Sequence, residues 1–128
     1  MTPASNALDA VLWTAAVATL GTVVLFSLGP GAGPTGILGA DKLWHALAYG
    51  ALTGGWLLAA VWRPGRGPGR YPGGAPLIVI GAAVLGALLE LLQGGVGRFA
   101  DPLDWMANLV GIALATVAWL LMRRGVPR

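Results

Sequence analysis

The stretch PLIVIGAAVLGALLELLQ, residues 76–93, carries a single ionisable side chain, Glu90, close to its end. A bilayer core about 30 Å thick needs roughly 20 apolar residues of helix to cross it, and proline suits a first helical turn. The stretch therefore predicts a membrane-crossing helix that stops before Gly94-Gly95. The pattern recurs along the chain. Residues 8–28 form an apolar run ending at Gly29-Pro30-Gly31, residues 43–62 another stopped by Arg63-Pro64-Gly65, and residues 104–122 a last one closed by Arg123-Arg124. The expected fold class is all-α: one domain over residues 1–128, a polytopic four-transmembrane-helix bundle. No internal repeat is evident, and the Pro/Gly/Arg-rich segment 63–75 reads as a flexible linker.

Composition agrees. Of 128 residues, 56% are hydrophobic and 10% charged, where a soluble domain carries about a quarter charged. So few charges cannot cover a water-facing surface, and lipid is the main solvent. The net charge of +3 does not indicate nucleic acid, because the basic residues flank apolar spans and form no stripe with aromatic platforms. With no cysteine in the chain, disulfides, thiolate metal sites and cysteine nucleophiles are excluded. The first span reads as retained and not as a signal peptide. It lacks a basic leader, exceeds the usual length of an apolar signal core, and shows no small-x-small cleavage site.

Positive charge sets the expected orientation. Arg63, Arg66 and Arg70 lie in the second connection and Arg123, Arg124 and Arg128 in the tail, whereas only Lys42 and Arg98 fall in the other two connections. The positive-inside rule then places the linker and both termini in the cytoplasm and the first and third connections outside. Trp13, Trp62 and Trp119 fall near the inner interface and Trp44 and Trp105 near the outer one, as interfacial anchors do.

With this topology the polar residues collect at one level, in the outer leaflet. Asp41 and Lys42 stand at the mouth of span two, with His45 and Tyr49 four residues apart on one deeper face. Glu90 and Gln93 end span three, Arg98 and Asp101 lie in the following loop, and Asp104 and Asn108 begin span four on a shared face. Four of the five carboxylates of the chain belong to this set. Ala82, Gly86 and Glu90 form a small-residue stripe on span three, and Asp104, Asn108, Gly111 and Ala115 one on span four. Small residues let membrane helices approach closely, so these stripes should face inward, where intramembrane ionisable groups are tolerated. Gly50-x-x-x-Gly54 reads as a packing face.

Asp41-Lys42-x-x-His45-x-x-x-Tyr49, Glu90-x-x-Gln93, Arg98 and Asp101-x-x-Asp104-x-x-x-Asn108-x-x-Gly111 together resemble the pattern of the VanZ-like family of small bacterial membrane proteins. The resemblance covers roughly residues 41–115. It implies a bacterial cell membrane and a link to teicoplanin tolerance, the antibiotic resistance for which the family is named; it implies no settled reaction. The first helix carries no comparable motif.

The candidate catalytic residues are His45, Glu90 and Asp104, as acid/base groups. The candidate substrate-binding residues are Asp41, Lys42, Tyr49, Gln93, Arg98, Asp101 and Asn108. Lys42 and Arg98 can hold a phosphate or carboxylate head group, or can instead neutralise Asp41, Asp101 and Asp104. The chain shows no dense metal-ligand spacing, no serine or threonine nucleophile near His45 in sequence and no phosphate-cradling loop, so no metal is assigned and no cofactor is identifiable. Two functions remain open. One is recognition or processing of an envelope lipid or its head group, polyprenyl-linked or phospholipid, with a membrane-protein partner also possible. The other is a non-catalytic scaffold or partner subunit whose polar residues only lock the helices. A proton-coupled carrier is disfavoured, because the polar set does not cross the membrane.

Overall fold

The computed structural model describes residues 3–29, 40–63, 67–68, 71–97 and 100–124. Four α-helices account for most of them: α1 (Pro3–Leu28), α2 (Ala40–Trp56), α3 (Ala75–Gln93) and α4 (Pro102–Arg124). Three stretches are long and apolar enough to cross a membrane: Asn6–Leu28, Ala75–Val96 and Pro102–Arg124. α3 and α4 begin and end close to the expected bounds, whereas α1 starts at Pro3 and not at Leu8, and α2 runs Ala40–Trp56 where a helix over 43–62 was expected. α3 carries its proline in the first turn, and Arg123 and Arg124 lie in the last turn of α4, where cations favour the carbonyl end of the helix dipole.

α2 departs from a plain membrane helix. Its α-helical part has 17 residues and runs into a buried π-helical turn, Leu57–Val61. Beyond it the expected featureless linker holds a short antiparallel ladder, β1 (Trp62–Arg63) on β2 (Gly67–Pro68). The wider π turn cannot continue into a strand without leaving carbonyls unpaired. Tyr71 N–H donates to the Ala60 carbonyl at 2.7 Å and meets part of that need.

α2 packs against all three other helices, most extensively against α4. Glycine makes that contact possible. A methyl group at Gly111 would run into the Ala46 carbonyl, with Ala46 Cα only 3.0 Å away, and one at Gly50 would meet the Gly111 carbonyl at 3.3 Å. Gly50-x-x-x-Gly54 is thus a packing face, with Ala115 Cβ next to Gly54. The core has two parts. One gathers Val23, Tyr49, Leu52, Ala82, Leu89 and Ile112 in the middle of the bundle; the other gathers Leu57, Ala60, Val61 and Trp119 at the end where α2 finishes.

Two tryptophans differ from the expected interfacial belt. Trp119 is buried at 2% exposure, under the Arg123 guanidinium 4.6 Å from its ring centre. Trp105 donates its indole N–H to the Ala83 carbonyl of α3 at 3.2 Å. Both fill space between helices, where an aromatic ring contributes more buried area than at an interface. Trp13 meets Trp56 edge to face at 5.7 Å, and Trp44 is exposed.

Candidate functional site

The start of α2, the end of α3 and the start of α4 lie at one end of the bundle, as their alternating directions require, and their polar side chains meet there. At the rim stands Lys42. Its ammonium donates to Asp41 at 3.0 Å, to Asp101 at 2.6 Å and to Asp104. An ammonium has three N–H donors, so Lys42 is fully engaged by three carboxylates. Those contacts raise its pKa, Asp101 most and then Asp104, with burial opposing. Lys42 in turn lowers the pKa of Asp41 and of Asp101, in both cases chiefly through the hydrogen bond it donates.

Below the rim lies a second tier. Asp104 gives one oxygen to Lys42 and turns the other toward His45 Nε2 at 3.4 Å. On its far side, His45 Nδ1 stands 3.0 Å from Asn108 Oδ1. Oxygen acceptors thus flank both ring nitrogens, an arrangement that holds the ring in one orientation and fully occupies it when both nitrogens carry protons. His45 and Asn108 face each other because His45 lies one turn into α2 and Asn108 one turn beyond Asp104 on α4.

Glu90 enters from α3 and is 7% exposed. Its Oε1 accepts the backbone N–H of Asp101. Asp101 therefore links three elements. Its own N–H is held by Glu90, one carboxylate oxygen accepts from Lys42, and the other accepts the Leu103 N–H at 2.9 Å. The last bond is a helix N-cap, with Pro102 as first residue of α4 and Asp101 O accepting from Asp104 N at 2.8 Å. The Asp-Pro-x-Asp run before an apolar stretch is a readable start signal that the sequence reading did not use.

The stripes expected to face inward do so: Ala82, Gly86 and Glu90 are buried on α3, and Asn108 and Gly111 on α4. Gly86 is the crossing point. A Cβ there would lie 3.1 Å from the Asn108 amide, 3.2 Å from the Tyr49 ring and 3.4 Å from Trp105. Gln93 is buried at 3% and Tyr49 at 2%. The Tyr49 hydroxyl has no hydrogen-bond partner among the described residues, and neither does the Thr53 hydroxyl one turn further along α2.

Nine of the ten expected site residues are therefore described at this end of the bundle. Lys42, Asp41, Asp101, Asp104, His45 and Asn108 form one connected network, and Glu90 joins it through the backbone of Asp101. Tyr49 and Gln93 are buried, and no hydrogen bond joins either to the network among the described residues. The tenth, Arg98, lies outside the described residues, as do Arg66, Arg70 and Arg128 of the orientation signal. Thr53 was missed, although His45, Tyr49 and Thr53 follow one another at the four-residue step that keeps one helix face. Among the described residues no three histidine or acidic side chains converge in a metal-holding arrangement; the Lys42 ammonium fills the centre of the acidic cluster. No family model matches the chain, and no curated protein or solved structure is significantly similar to it.

Proposed function

We propose that the chain is a four-span bacterial membrane protein of the VanZ-like kind, with both termini cytoplasmic, whose polar tier lies in the outer leaflet and binds or processes the head group of a cell-envelope lipid. One observation carries the reading. Glu90, Gln93 and Asn108 are buried at 7%, 3% and 2% exposure in a bundle whose other buried residues are almost all apolar. Ionisable and amide groups at such depth are expensive and are retained where they act on a substrate. Residues 43–61 of α2 and its π turn cover about 28 Å at 1.5 Å per residue, close to what a fourth span needs.

In this reading His45 moves the proton. Asp104 faces one ring nitrogen and Asn108 steadies the other, so the imidazole is oriented as an acid/base group needs to be. The Lys42 clasp closes the rim and gives an incoming phosphate a cation to compete for, by displacing one of its three carboxylates. The alternative, a scaffold without substrate, draws on the same clasp, since a lysine saturated by carboxylates from two helices also locks α2 to α4.

The two readings part on Glu90→Gln and Asp104→Asn. As a lipid site, the variants lose teicoplanin tolerance in cells while yield and melting temperature of the purified protein stay near wild type. As a scaffold, tolerance falls only in proportion to stability. Orientation has its own test. Cysteines placed at Gly31 and Gly95 react with an impermeant thiol reagent on intact cells and one at Gly67 does not; the reverse pattern moves the site to the cytoplasm and ends the outer-leaflet reading.

A further inference from the structure

In the polar tier nearly every donor and acceptor is already spent among the described residues. Lys42 directs all three N–H groups to carboxylates, and Asp101 has one oxygen on Lys42 and the other on the Leu103 N–H. Asp104 divides its two oxygens between Lys42 and His45, whose other ring nitrogen faces Asn108. Glu90 differs. Its Oε1 accepts the Asp101 N–H, while its Oε2 receives no hydrogen bond from a described residue, although the side chain is buried at 7% exposure. We infer that the missing donor belongs to the ligand, and that this ligand is a zwitterion of the phosphoethanolamine type, with its ammonium on Glu90 and its phosphate on Lys42, which rests on the head-group reading above.

A buried carboxylate oxygen without a donor is costly, and this one can be reached. The orphaned hydroxyls of Tyr49 and Thr53 are sealed off from any ligand; Glu90 Oε2 is not. Gly94, one turn beyond Glu90, and Gly95 are exposed and carry no side chain to cover it, and an added Cβ at either meets nothing within 4 Å. Asp41 stands differently, since its side chain is 44% exposed and water can serve its spare oxygen.

The group that meets Glu90 has to donate, and it has to offset charge. Asp41, Glu90, Asp101 and Asp104 surround a single lysine, so a surplus of negative formal charge remains even with His45 protonated. A phosphate alone would add to that surplus. A hydroxyl would donate but leave it unchanged, and a quaternary ammonium would offset it but has no N–H to give. A primary ammonium does both, and its hydrogen bond to a carboxylate is roughly twice as strong as a neutral one. Lys42 and Glu90 both hold Asp101, one at its carboxylate and the other at its backbone N–H. A cation and an anion thus flank one residue. A head group with phosphate and ammonium two carbons apart addresses both: the phosphate displaces a carboxylate from Lys42, and the ammonium balances the charge so released.

Lipids of identical acyl chains serve as probes: phosphatidylethanolamine, its stepwise N-methylated series up to phosphatidylcholine, and phosphatidylglycerol. Full-length protein in detergent is titrated with each, and bound lipid is counted by native mass spectrometry. Choline keeps the charges of ethanolamine and removes every N–H. The expected result is that phosphatidylethanolamine binds about tenfold more tightly than phosphatidylcholine, the effect of one hydrogen bond to a charged group. Affinity falls step by step along the methyl series, and phosphatidylglycerol binds more weakly than phosphatidylethanolamine. Glu90→Gln, which keeps an acceptor for the Asp101 N–H, erases the preference; should that variant fail to accumulate, the methyl series on wild-type protein decides. Equal binding of the choline and ethanolamine lipids, or a Glu90→Gln variant that still prefers ethanolamine, would overturn the ammonium assignment. Tightest binding of phosphatidylglycerol, abolished by Lys42→Met, would overturn it too while leaving a lipid site in place. Absence of any head-group preference would end both readings. Free O-phosphoethanolamine binding as tightly as the lipid would uphold the ammonium on Glu90 and end the lipid reading alone.

Discussion

Substituting Gly111 by alanine tests whether the polar tier depends on how closely α2 and α4 approach. The added methyl collides with the Ala46 carbonyl, with the Ala46 carbonyl carbon at 2.8 Å and its Cα at 3.0 Å. Carbon atoms in contact prefer about 3.5–4.0 Å, so the axes must part by roughly an ångström. Both colliding groups are backbone, and no side-chain rotation relieves them. Overpacking of this kind costs about 1–3 kcal/mol, and a rigid collision belongs at the upper end. For a domain of this size that is a fall in Tm on the order of 10 °C.

The same displacement reaches the site. His45 Nδ1 and Asn108 Oδ1, 3.0 Å apart, would open beyond hydrogen-bonding range at about 4 Å. Gly81→Ala is the control, because nothing lies within 4 Å of its added methyl. Unfolding followed by tryptophan fluorescence in one detergent suits both variants; a thiol-reactive dye has nothing to report in a chain without cysteine. The expected result is a large loss for Gly111→Ala, a change within about 0.5 kcal/mol for Gly81→Ala, and an intermediate loss for Gly50→Ala, whose methyl meets the Gly111 carbonyl at 3.3 Å. Equal stability of all three would falsify the close α2–α4 contact and, with it, the geometry of the site.

The pairing around Lys42 predicts a pH window. Asp41 and Asp101 are held below their ordinary value of 3.8, so their contribution is complete above it and is lost as the pH falls through their lower folded values. Lys42 is raised above 10.5, so its contribution is complete below that pH and is lost only as pH rises through its higher folded value. Tm should be level between about pH 5 and 9 and decline below about pH 4. Lys42→Met leaves three carboxylates facing one another; its Tm deficit should be large near pH 8 and shrink toward about pH 4 as they take up protons. Asn108→Leu strips His45 Nδ1 of its partner in a site 2% exposed and should cost about 1–3 kcal/mol by thermal unfolding. Thr53→Val, by contrast, should raise the Tm of the ligand-free protein, since it removes an orphaned hydroxyl.

The helices were legible because long apolar runs leave a coarse record. Apolar runs and their Gly, Pro and Arg stops located α3 and α4 closely, but missed the early start of α1 and the end of α2 at Trp56. The inward stripes were legible for a related reason: only small residues permit close approach, and Ala82, Gly86, Asn108 and Gly111 recur at helical spacing. The linker ladder was not legible, because it follows from a π turn whose released carbonyl is met by Tyr71, and no periodicity records such a turn. The sharing of Lys42 among Asp41, Asp101 and Asp104 was legible as one of two readings, but its geometry was not. Asp41 and Lys42 are neighbours in sequence, but Asp101 and Asp104 come within reach only because Asp101 caps α4 while Glu90 holds its N–H. Trp119 read as an interfacial anchor by its place near the chain end; its burial comes from Leu57, Ala60 and Val61 of the π turn, which pack with it. Thr53 was overlooked because a hydroxyl in an apolar run ordinarily bonds its own helix.

The one α-helix too short to count among the long apolar stretches is the one on which the polar tier depends, and the two facts share a cause. α2 is too short in its α-helical part to count among the long apolar stretches, and its first two turns hold Asp41, Lys42 and His45. Exposed to lipid on every side, such a helix would be costly to insert. It tolerates those residues because α1, α3 and α4 all pack on it, and Gly50 lets α4 come near enough for Asp104 and Asn108 to reach across. Shielding also explains its deeper face: Tyr49 and Thr53 carry hydroxyls to depths where a lipid-facing helix would present only hydrocarbon. Glycines that bring the helices together therefore do more than pack them. They set the distance at which a histidine on one helix meets an aspartate and an asparagine on another. Any change that restores ordinary helix spacing should weaken the site before it unfolds the bundle.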